Sequence, residues 1–367
     1  MKYYLVAGEA SGDLHGANLM KAIRQQDAQA EFRFFGGDKM QQQGGTLVKH
    51  FSEMAFMGIV EVVANLRTIR RNMKQCKSDL LAWKPDVLVL IDFPGFNLRI
   101  AGFAREHGIP VCYYISPKIW AWNQKRARKI KRVVDRMLCI LPFEKDFYAK
   151  WDMDVDYVGN PLLDEIAAFS PAPDFTGRNR LNKPIVALLP GSRKQEIDYL
   201  LPQMLGVTKN FPGVQFVIAG APSIPASYYQ NLDSTVPVIF DQTYDLLHHA
   251  DAAIVASGTA TLETALFHVP QVVVYKGHPL FIAVARAVIR IGFISLVNLI
   301  ADRRIVTELI QEECNPERIA EELNSVLSAE GREKMLADYA DLDQRMGEPG
   351  ASDRAATIII ETASALR

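Results

Sequence analysis

The 367-residue chain is too long for one compact core, and its formal net charge of −1, from 41 Lys+Arg against 42 Asp+Glu, argues against a protein built to neutralise nucleic-acid phosphates. Its four cysteines, Cys76, Cys112, Cys139 and Cys314, form no CxxC pair, and three lie in apolar runs, as reduced core residues of a cytosolic protein do. The apolar stretch at the N-terminus ends at Glu9, which predicts a first strand rather than a signal peptide.

Strand-like runs then alternate with amphipathic helical segments: YYLVA (3–7), FRFFG (32–36), DVLVLI (86–91), IPVCYYI (109–115) and RMLCIL (136–141). Such alternation predicts a parallel sheet with helices on both faces. AFSPAPDFTGRNRLNK (168–183) is rich in Pro, Gly and Asn without periodicity and reads as a linker. A second set follows in PIVALLP (184–190), VQFVIAG (214–220), VPVIF (236–240), AAIVA (252–256) and QVVVY (271–275). The expectation is two doubly wound, Rossmann-like α/β domains, 1–167 and 184–340, joined by the linker 168–183 and followed by a helical segment, 341–367, that packs across the junction.

In open parallel sheets ligands sit beyond the carboxyl ends of the strands, so the residues directly after each run carry the functional reading. In VAGEASGD (6–13), Gly8 and Gly12 permit a tight turn and close backbone approach, and Ser11 or Asp13 can cap a helix starting near Leu14. Capping does not account for Glu9, and the spacing is not the GxGxxG of a dinucleotide fingerprint. Asp92 ends VLVLI just before Pro94-Gly95 and is either a cap or a carboxylate facing a cleft. In YYISPKIWAWNQKRARKIKR (113–132), Trp120 and Trp122 precede Lys125, Arg126, Arg128, Lys129, Lys131 and Arg132. This is either a solvated helix face or a contact for an anionic ligand or membrane surface, and no nucleic-acid-binding module accompanies it. Further on, the turn Pro190-Gly191-Ser192-Arg193 puts a hydroxyl and a guanidinium after a strand, where Arg clamps phosphate oxygens. Ser257-Gly258-Thr259 precedes a helix whose free N–H groups suit a diphosphate, and Glu263 in its first turns either pairs with sugar hydroxyls or favours the helix dipole. Two phosphate-type turns in one domain, with acids opposite them in the other, point to a two-domain cleft enzyme.

Through LVAGEASGD, MGIVEV, KPDVLVLIDFPGFN, YYISPKIWAW, LPFEKDFY, LLPGSR, VASGTATLE and SLVNLIADRRIVTELIQEEC, nearly the whole chain resembles the lipid-A-disaccharide synthases. The resemblance implies a GT-B glycosyltransferase fold, with an N-terminal domain for acceptor and a C-terminal domain for the UDP-sugar donor. It implies transfer, with inversion, from UDP-2,3-diacylglucosamine to 2,3-diacylglucosamine 1-phosphate (lipid X), releasing UDP. No metal and no cofactor are expected, the UDP-sugar being a substrate, and the expected location is cytoplasmic, on the inner face of the inner membrane. Glu9 and Asp92 match the family's proposed catalytic carboxylates, while Arg193, Glu263 and Asn298 match residues held to contact the donor nucleotide or its surroundings. Gly191, Ser192, Ser257, Gly258 and Thr259 form the expected donor turns, and Ser11, Gly12, Ser116 and Trp120 the expected acceptor side of the cleft. His15 and Asn18 depart from the apolar or small residues expected there. A UDP-sugar 2-epimerase or a peptidoglycan-type glucosaminyltransferase would share the donor turns but not SPKIWAW. A non-catalytic, membrane-associated nucleotide-sugar sensor is the alternative from a different class.

Asp92 follows an entirely apolar strand, so it is expected to be held rigidly and partly desolvated, with a raised pKa that suits a general base. Glu9 is then expected to orient the acceptor or stabilise the developing sugar cation. In MGIVEVVANLRTIRRNMKQ (57–75), Ile59, Val62, Val63, Leu66, Ile69 and Met73 fall on one helical face, with Arg67, Arg70, Arg71 and Lys74 beside it. The pattern fits an interfacial helix or a core-facing helix with a basic outer side, and the acylated substrates of the resembling family favour the first. PLFIAVARAVIRIGFISL (279–296) offers a second apolar surface, although Arg286 and Arg290 argue against a spanning helix.

Overall fold

The computed structural model describes residues 1–54, 65–278 and 292–365. Ile59, Val62 and Val63, and most of PLFIAVARAVIRIGFISL with Arg286 and Arg290, lie outside the described residues. The chain divides into two compact units, one made of Met1–Asp164 with Glu348–Arg367 and the other of Glu165–Gly347.

The first unit is built on strands β1 (Lys2–Ala7), β2 (Glu31–Gly36), β3 (Thr46–His50), β4 (Val87–Ile91), β5 (Val111–Tyr114), β6 (Arg136–Cys139) and β7 (Asp156–Tyr157). They form a parallel sheet in the order β3-β2-β1-β4-β5-β6-β7. Every residue of β4, VLVLI, is buried, as a strand covered on both faces requires. Tyr3, Leu5, Val89 and Ile91 share one core cluster with Leu19 and Ile23 of the Ala10–Gln26 helix and with Ala355, Ala356, Ile359 and Ala363. The last four lie on the Ala351–Ala365 helix, which therefore completes the first unit. Asp164 fixes that helix by accepting from the backbone N–H groups of Gly350, Ala351 and Ser352.

The second unit holds β8 (Ile185–Leu189), β9 (Gln215–Gly220), β10 (Val238–Phe240), β11 (Ala252–Ala256), β12 (Gln271–Tyr275) and β13 (Thr307–Ile310). Its parallel sheet runs β10-β9-β8-β11-β12-β13. Part of the stretch expected as a linker is packed against this sheet. Phe175, on a short Phe175–Arg178 helix, is 1% exposed, stacks on His249 and joins Leu181, Ile185 and Leu246 in the core. The segment expected as one C-terminal piece is divided: the Ala329–Met346 helix buries Tyr339, Leu342 and Met346 within the second unit, and the Ala351–Ala365 helix belongs to the first.

Three strands, β3, β7 and β13, have no counterpart among the runs read from sequence, and all three are edge strands. An edge strand packs on fewer sides, so TLVKH and TELI carry polar residues that break the apolar run, and β7 is two residues long.

Candidate active site

Each sheet reverses its strand order once, at β1/β4 in the first unit and at β8/β11 in the second, and a doubly wound sheet opens its ligand crevice at that switch point. Ala7 pairs with Ile91, so the turns after β1 and β4, carrying Glu9 and Asp92, lie side by side. Leu189 pairs with Val255, which sets Gly191-Ser192-Arg193 beside Ser257-Gly258-Thr259 in the second unit.

The helix after β1 starts at Ala10, earlier than the sequence suggests, with Glu9 at its N-cap in extended backbone. The Glu9 carboxylate makes no capping bond, which leaves it available, half-buried, at the strand end. Asp13 does not cap its own helix. It is 3% exposed and accepts from the N–H groups of Gly37 (2.7 Å), Lys39 (3.0 Å) and Met40 (3.1 Å), binding the first turn to the end of β2. The two glycines are closely packed. A Cβ on Gly8 would stand 2.3 Å from the Phe93 ring, and one on Gly12 would stand 3.2 Å from the Ala7 Cβ. Ser11 is exposed in the first helical turn. Burial pushes the His15 imidazole down to about 4, so it is neutral at physiological pH.

Asp92 and Phe93 both take left-handed backbone, with φ of 44° and 47°, and Ile115 at the end of β5 has φ 66°. For non-glycine residues, and above all for a β-branched one, such conformations cost on the order of 1–3 kcal/mol each and persist only where neighbours enforce them. Here the neighbours are identifiable. The Asp92 N–H donates to the Tyr114 carbonyl, and the Asp92 carbonyl accepts from the Tyr113 hydroxyl at 2.5 Å and from Asn97 Nδ2 at 2.8 Å. Asn97 Nδ2 also lies 3.2 Å from the Ile91 carbonyl and 3.3 Å from that of Val6, so one buried amide draws the ends of β1 and β4 together. The Asp92 carboxyl is pushed up to about 6, first by desolvation and then by the charge of Glu9, with Lys118 opposing. Asn97, Tyr113 and Lys118 were not read as site residues from the sequence. Asn97 had one visible signal, a polar side chain inside the otherwise apolar start of a helix.

The expected acceptor residues Ser116 and Trp120 are placed differently. Both are buried, and their polar atoms are engaged inside the unit: Ser116 Oγ with the Tyr148 hydroxyl at 2.9 Å, and Trp120 Nε1 donating to Glu144 Oε1 at 3.2 Å. Burial pushes the Glu144 carboxyl up to about 7. Trp122, by contrast, is exposed, with the Arg126 guanidinium over its ring. In the helix that starts at Leu66, the core face is Asn72, Cys76 and Leu80, while Leu66, Arg67 and Arg70 are exposed and Ile69 is half-buried.

In the second unit Gly191 has φ 101°, a backbone position that favours glycine, and Ser192 and Arg193 are exposed. The Arg193 guanidinium is held loosely by Glu196 at 3.4 Å. Gly258 and Thr259 are exposed at the start of the Thr259–Leu266 helix, and Ser257 Oγ donates to the Ile294 carbonyl. Glu263 is pushed up to about 7 by desolvation and by the neighbouring Glu165 carboxylate. The Asn298 side chain is engaged within the fold. It is 0% exposed, its Oδ1 accepts from the N–H groups of Ile305 and Val306, and its Nδ2 donates to the Val306 carbonyl and Glu308. Its amide pins the turn before β13. Among the described residues no group of three or more His, Cys, Asp or Glu side chains is placed to hold a metal ion, and no helix is long and apolar enough to cross a membrane.

Two doubly wound units, each with its polar turns at a switch point, define the two-domain GT-B architecture. Solved structures of that fold include a putative UDP-N-acetylglucosamine 2-epimerase from Listeria monocytogenes (TM-score 0.66, 11% identity, 98% of this chain and 94% of that one) and the glycotransferase of kitacinnamycin (TM-score 0.69, 14% identity, 98% of each). Residues 3–360 match the family model described as lipid-A-disaccharide synthetase. Lipid-A-disaccharide synthases of Myxococcus xanthus and Syntrophus aciditrophicus are 42% and 41% identical, each over 97% of this chain and 96% of the relative. The chain belongs to the lipid-A-disaccharide synthetase family, and it is a glycosyltransferase.

Replacing Asn298 with Ala strands the buried N–H groups of Ile305 and Val306, so it should destabilise the protein by about 2–4 kcal/mol, read as a lower urea midpoint. A variant of normal stability but weakened UDP affinity would instead return Asn298 to the donor site.

Proposed function

We propose that the protein acts in lipid A biosynthesis by moving 2,3-diacylglucosamine from its UDP derivative to the 6-hydroxyl of 2,3-diacylglucosamine 1-phosphate, with inversion. The observation that carries the reading is the adjacency of Glu9 and Asp92 at the β1/β4 switch point, in a chain of this family. The acceptor oxygen attacks the anomeric carbon, its proton passes to the Asp92 carboxylate, and the glycosidic bond to UDP breaks with both electrons going to the diphosphate. Asp92 suits a general base because its carboxyl, at about 6, is basic enough to take a proton yet largely ionised at neutral pH. Glu9 orients the acceptor and supports the positive charge that develops on the sugar. Arg193 and the N–H groups at the start of the Thr259–Leu266 helix receive the diphosphate, with Gly191, Ser192, Ser257 and Gly258 shaping the turns. Glu263 receives the ribose hydroxyls. No metal ion enters this scheme. The exposed Leu66, Arg67 and Arg70, with Ile69 beside them, rest on the anionic cytoplasmic surface of the inner membrane, where the acylated substrates reside.

Turnover should rise with pH and level off above about 6, since only ionised Asp92 accepts a proton. Glu9→Gln removes a neighbouring negative charge and should move that limb to lower pH, while Lys118→Met should move it higher. Asp92→Asn should cut turnover by about a hundredfold or more and remove the limb, with UDP affinity retained. Near wild-type turnover in Asp92→Asn, with Glu9→Gln inactive, would exchange the two roles. Arg193→Ala should weaken UDP binding by roughly tenfold in calorimetry, the loss of a charge-assisted contact, and unchanged binding would remove Arg193 from the donor site. In flotation with anionic vesicles the protein should rise at low salt and sink at high salt, and no association at low salt would refute the membrane assignment.

A further inference from the structure

Beside the β1/β4 switch point the first unit contains a cavity of about 250 Å³ between the Leu66–Trp83 and Pro94–Glu106 helices. Met54, Leu66, Ile69, Phe93 and Phe96 give it an apolar lining. Phe93 directly follows Asp92, so this apolar space begins one residue from the group assigned as base. Its position is fixed on both sides, by Gly8, which has no room for a Cβ under the ring, and by Phe96, whose ring lies 5.8 Å away.

The lining has two polar members: Asn72, buried with one atom unsatisfied, and Arg99, exposed at the rim. Asn72 is 1% exposed. Its Nδ2 donates to the Glu53 carbonyl, but its buried Oδ1 meets no hydrogen-bond donor among the described residues. Buried acceptors are rarely left so, and a ligand hydroxyl or amide N–H would satisfy this one. Arg99 is the charged residue of the lining. It is exposed and makes no ion pair or hydrogen bond among the described residues, and it stands near Lys129, itself beside Arg126 and Arg132. Lys129 feels the charge of Arg99, and among the described residues neither pairs with a carboxylate; an anion would relieve that repulsion, and the apolar cavity beside Arg99 favours an anion that carries a hydrocarbon chain.

We propose that this cavity holds one acyl chain of the sugar acceptor and that Arg99, with Lys129 and Arg126 behind it, holds the acceptor's phosphate. The proposal rests on the transfer reaction given above only for the identity of the ligand as acceptor. The chain anchored beside Phe93 and the phosphate held at Arg99 together fix the sugar ring relative to Asp92. Acyl recognition then lies in this cavity, whose outer end, at Leu66 and Ile69, belongs to the same face assigned to the bilayer.

The test is calorimetric titration of the full-length protein, in buffer without vesicles, with three ligands: a short-chain diacylated glucosamine 1-phosphate below its micelle concentration, its deacylated parent, and its dephosphorylated form. Wild-type protein should prefer the acylated ligand to the deacylated one. Filling the cavity with Ile69→Trp, or with Leu66→Trp at its exposed end, should reduce that preference at least about tenfold, the effect of losing a few buried methylene groups. Arg99→Ala should reduce the preference for phosphorylated over dephosphorylated ligand by a similar factor. An acyl preference unchanged in both folded tryptophan variants, or one that appears only when vesicles are added, overturns the proposal. A parallel transfer assay separates the two readings: chain-dependent binding without transfer would count against the reaction and leave the cavity assigned, whereas transfer with no chain-dependent loss in the variants would do the reverse.

Discussion

A parallel sheet points all its strand ends one way, and the chemistry of this protein hangs from that constraint. Each crossover returns the chain along a face of the sheet, so helices cover both faces and residues such as those of β4 have no solvent-facing side to use. Function is left the carboxyl-terminal rim. Where the strand order reverses, successive helices fall on opposite faces, and the rim there opens without a helix crossing it. The order 3-2-1-4 in the first sheet and 10-9-8-11 in the second each make one such opening, and the polar turns of the chain sit at both.

Holding a carboxylate at that rim has a conformational cost, visible in the left-handed backbone of Asp92, Phe93 and Ile115. The restraint comes from the rigid part of the unit: Asn97 gathers the carbonyls of Val6, Ile91 and Asp92 around one amide, and the Tyr113 hydroxyl closes on the same Asp92 carbonyl. The strained main chain thus remains hydrogen-bonded throughout. The same arrangement brings Phe93 across Gly8, which couples the placement of the two acidic turns: neither can shift without moving a ring that has no slack.

How much of this was legible in the sequence depended on the kind of signal. Fully buried strands announce themselves as apolar runs, so β1, β4, β5, β8 and β11 and the turns after them could be read directly, and Glu9, Asp92, Arg193 and Ser257 with them. Edge strands β3 and β13 could not, because a half-covered strand tolerates Lys49, His50, Thr307 and Glu308. Side-chain direction was also hidden. Ser116, Trp120 and Asn298 lie in or beside recognisable motifs, yet their polar atoms turn inward to Tyr148, Glu144 and the backbone before β13. A motif shows that a residue type is needed; whether it is needed by a ligand or by the fold is settled by where its hydrogen bonds go. The short Phe175–Arg178 helix makes the same point, since a Pro- and Gly-rich composition gave no hint that Phe175 fills a core position.

The first unit is assembled from two pieces of chain separated by the whole of the second. Residues 165–347 are contiguous and can fold as soon as they leave the ribosome, whereas the groove along the Ala10–Gln26 helix stays open until Ala355, Ala356, Ile359 and Ala363 have been made. The order of folding during translation is therefore reversed with respect to the order of synthesis. The second unit is complete first, and the piece of chain bearing Glu9 and Asp92, although made earliest, waits with an exposed apolar seam for its closing helix.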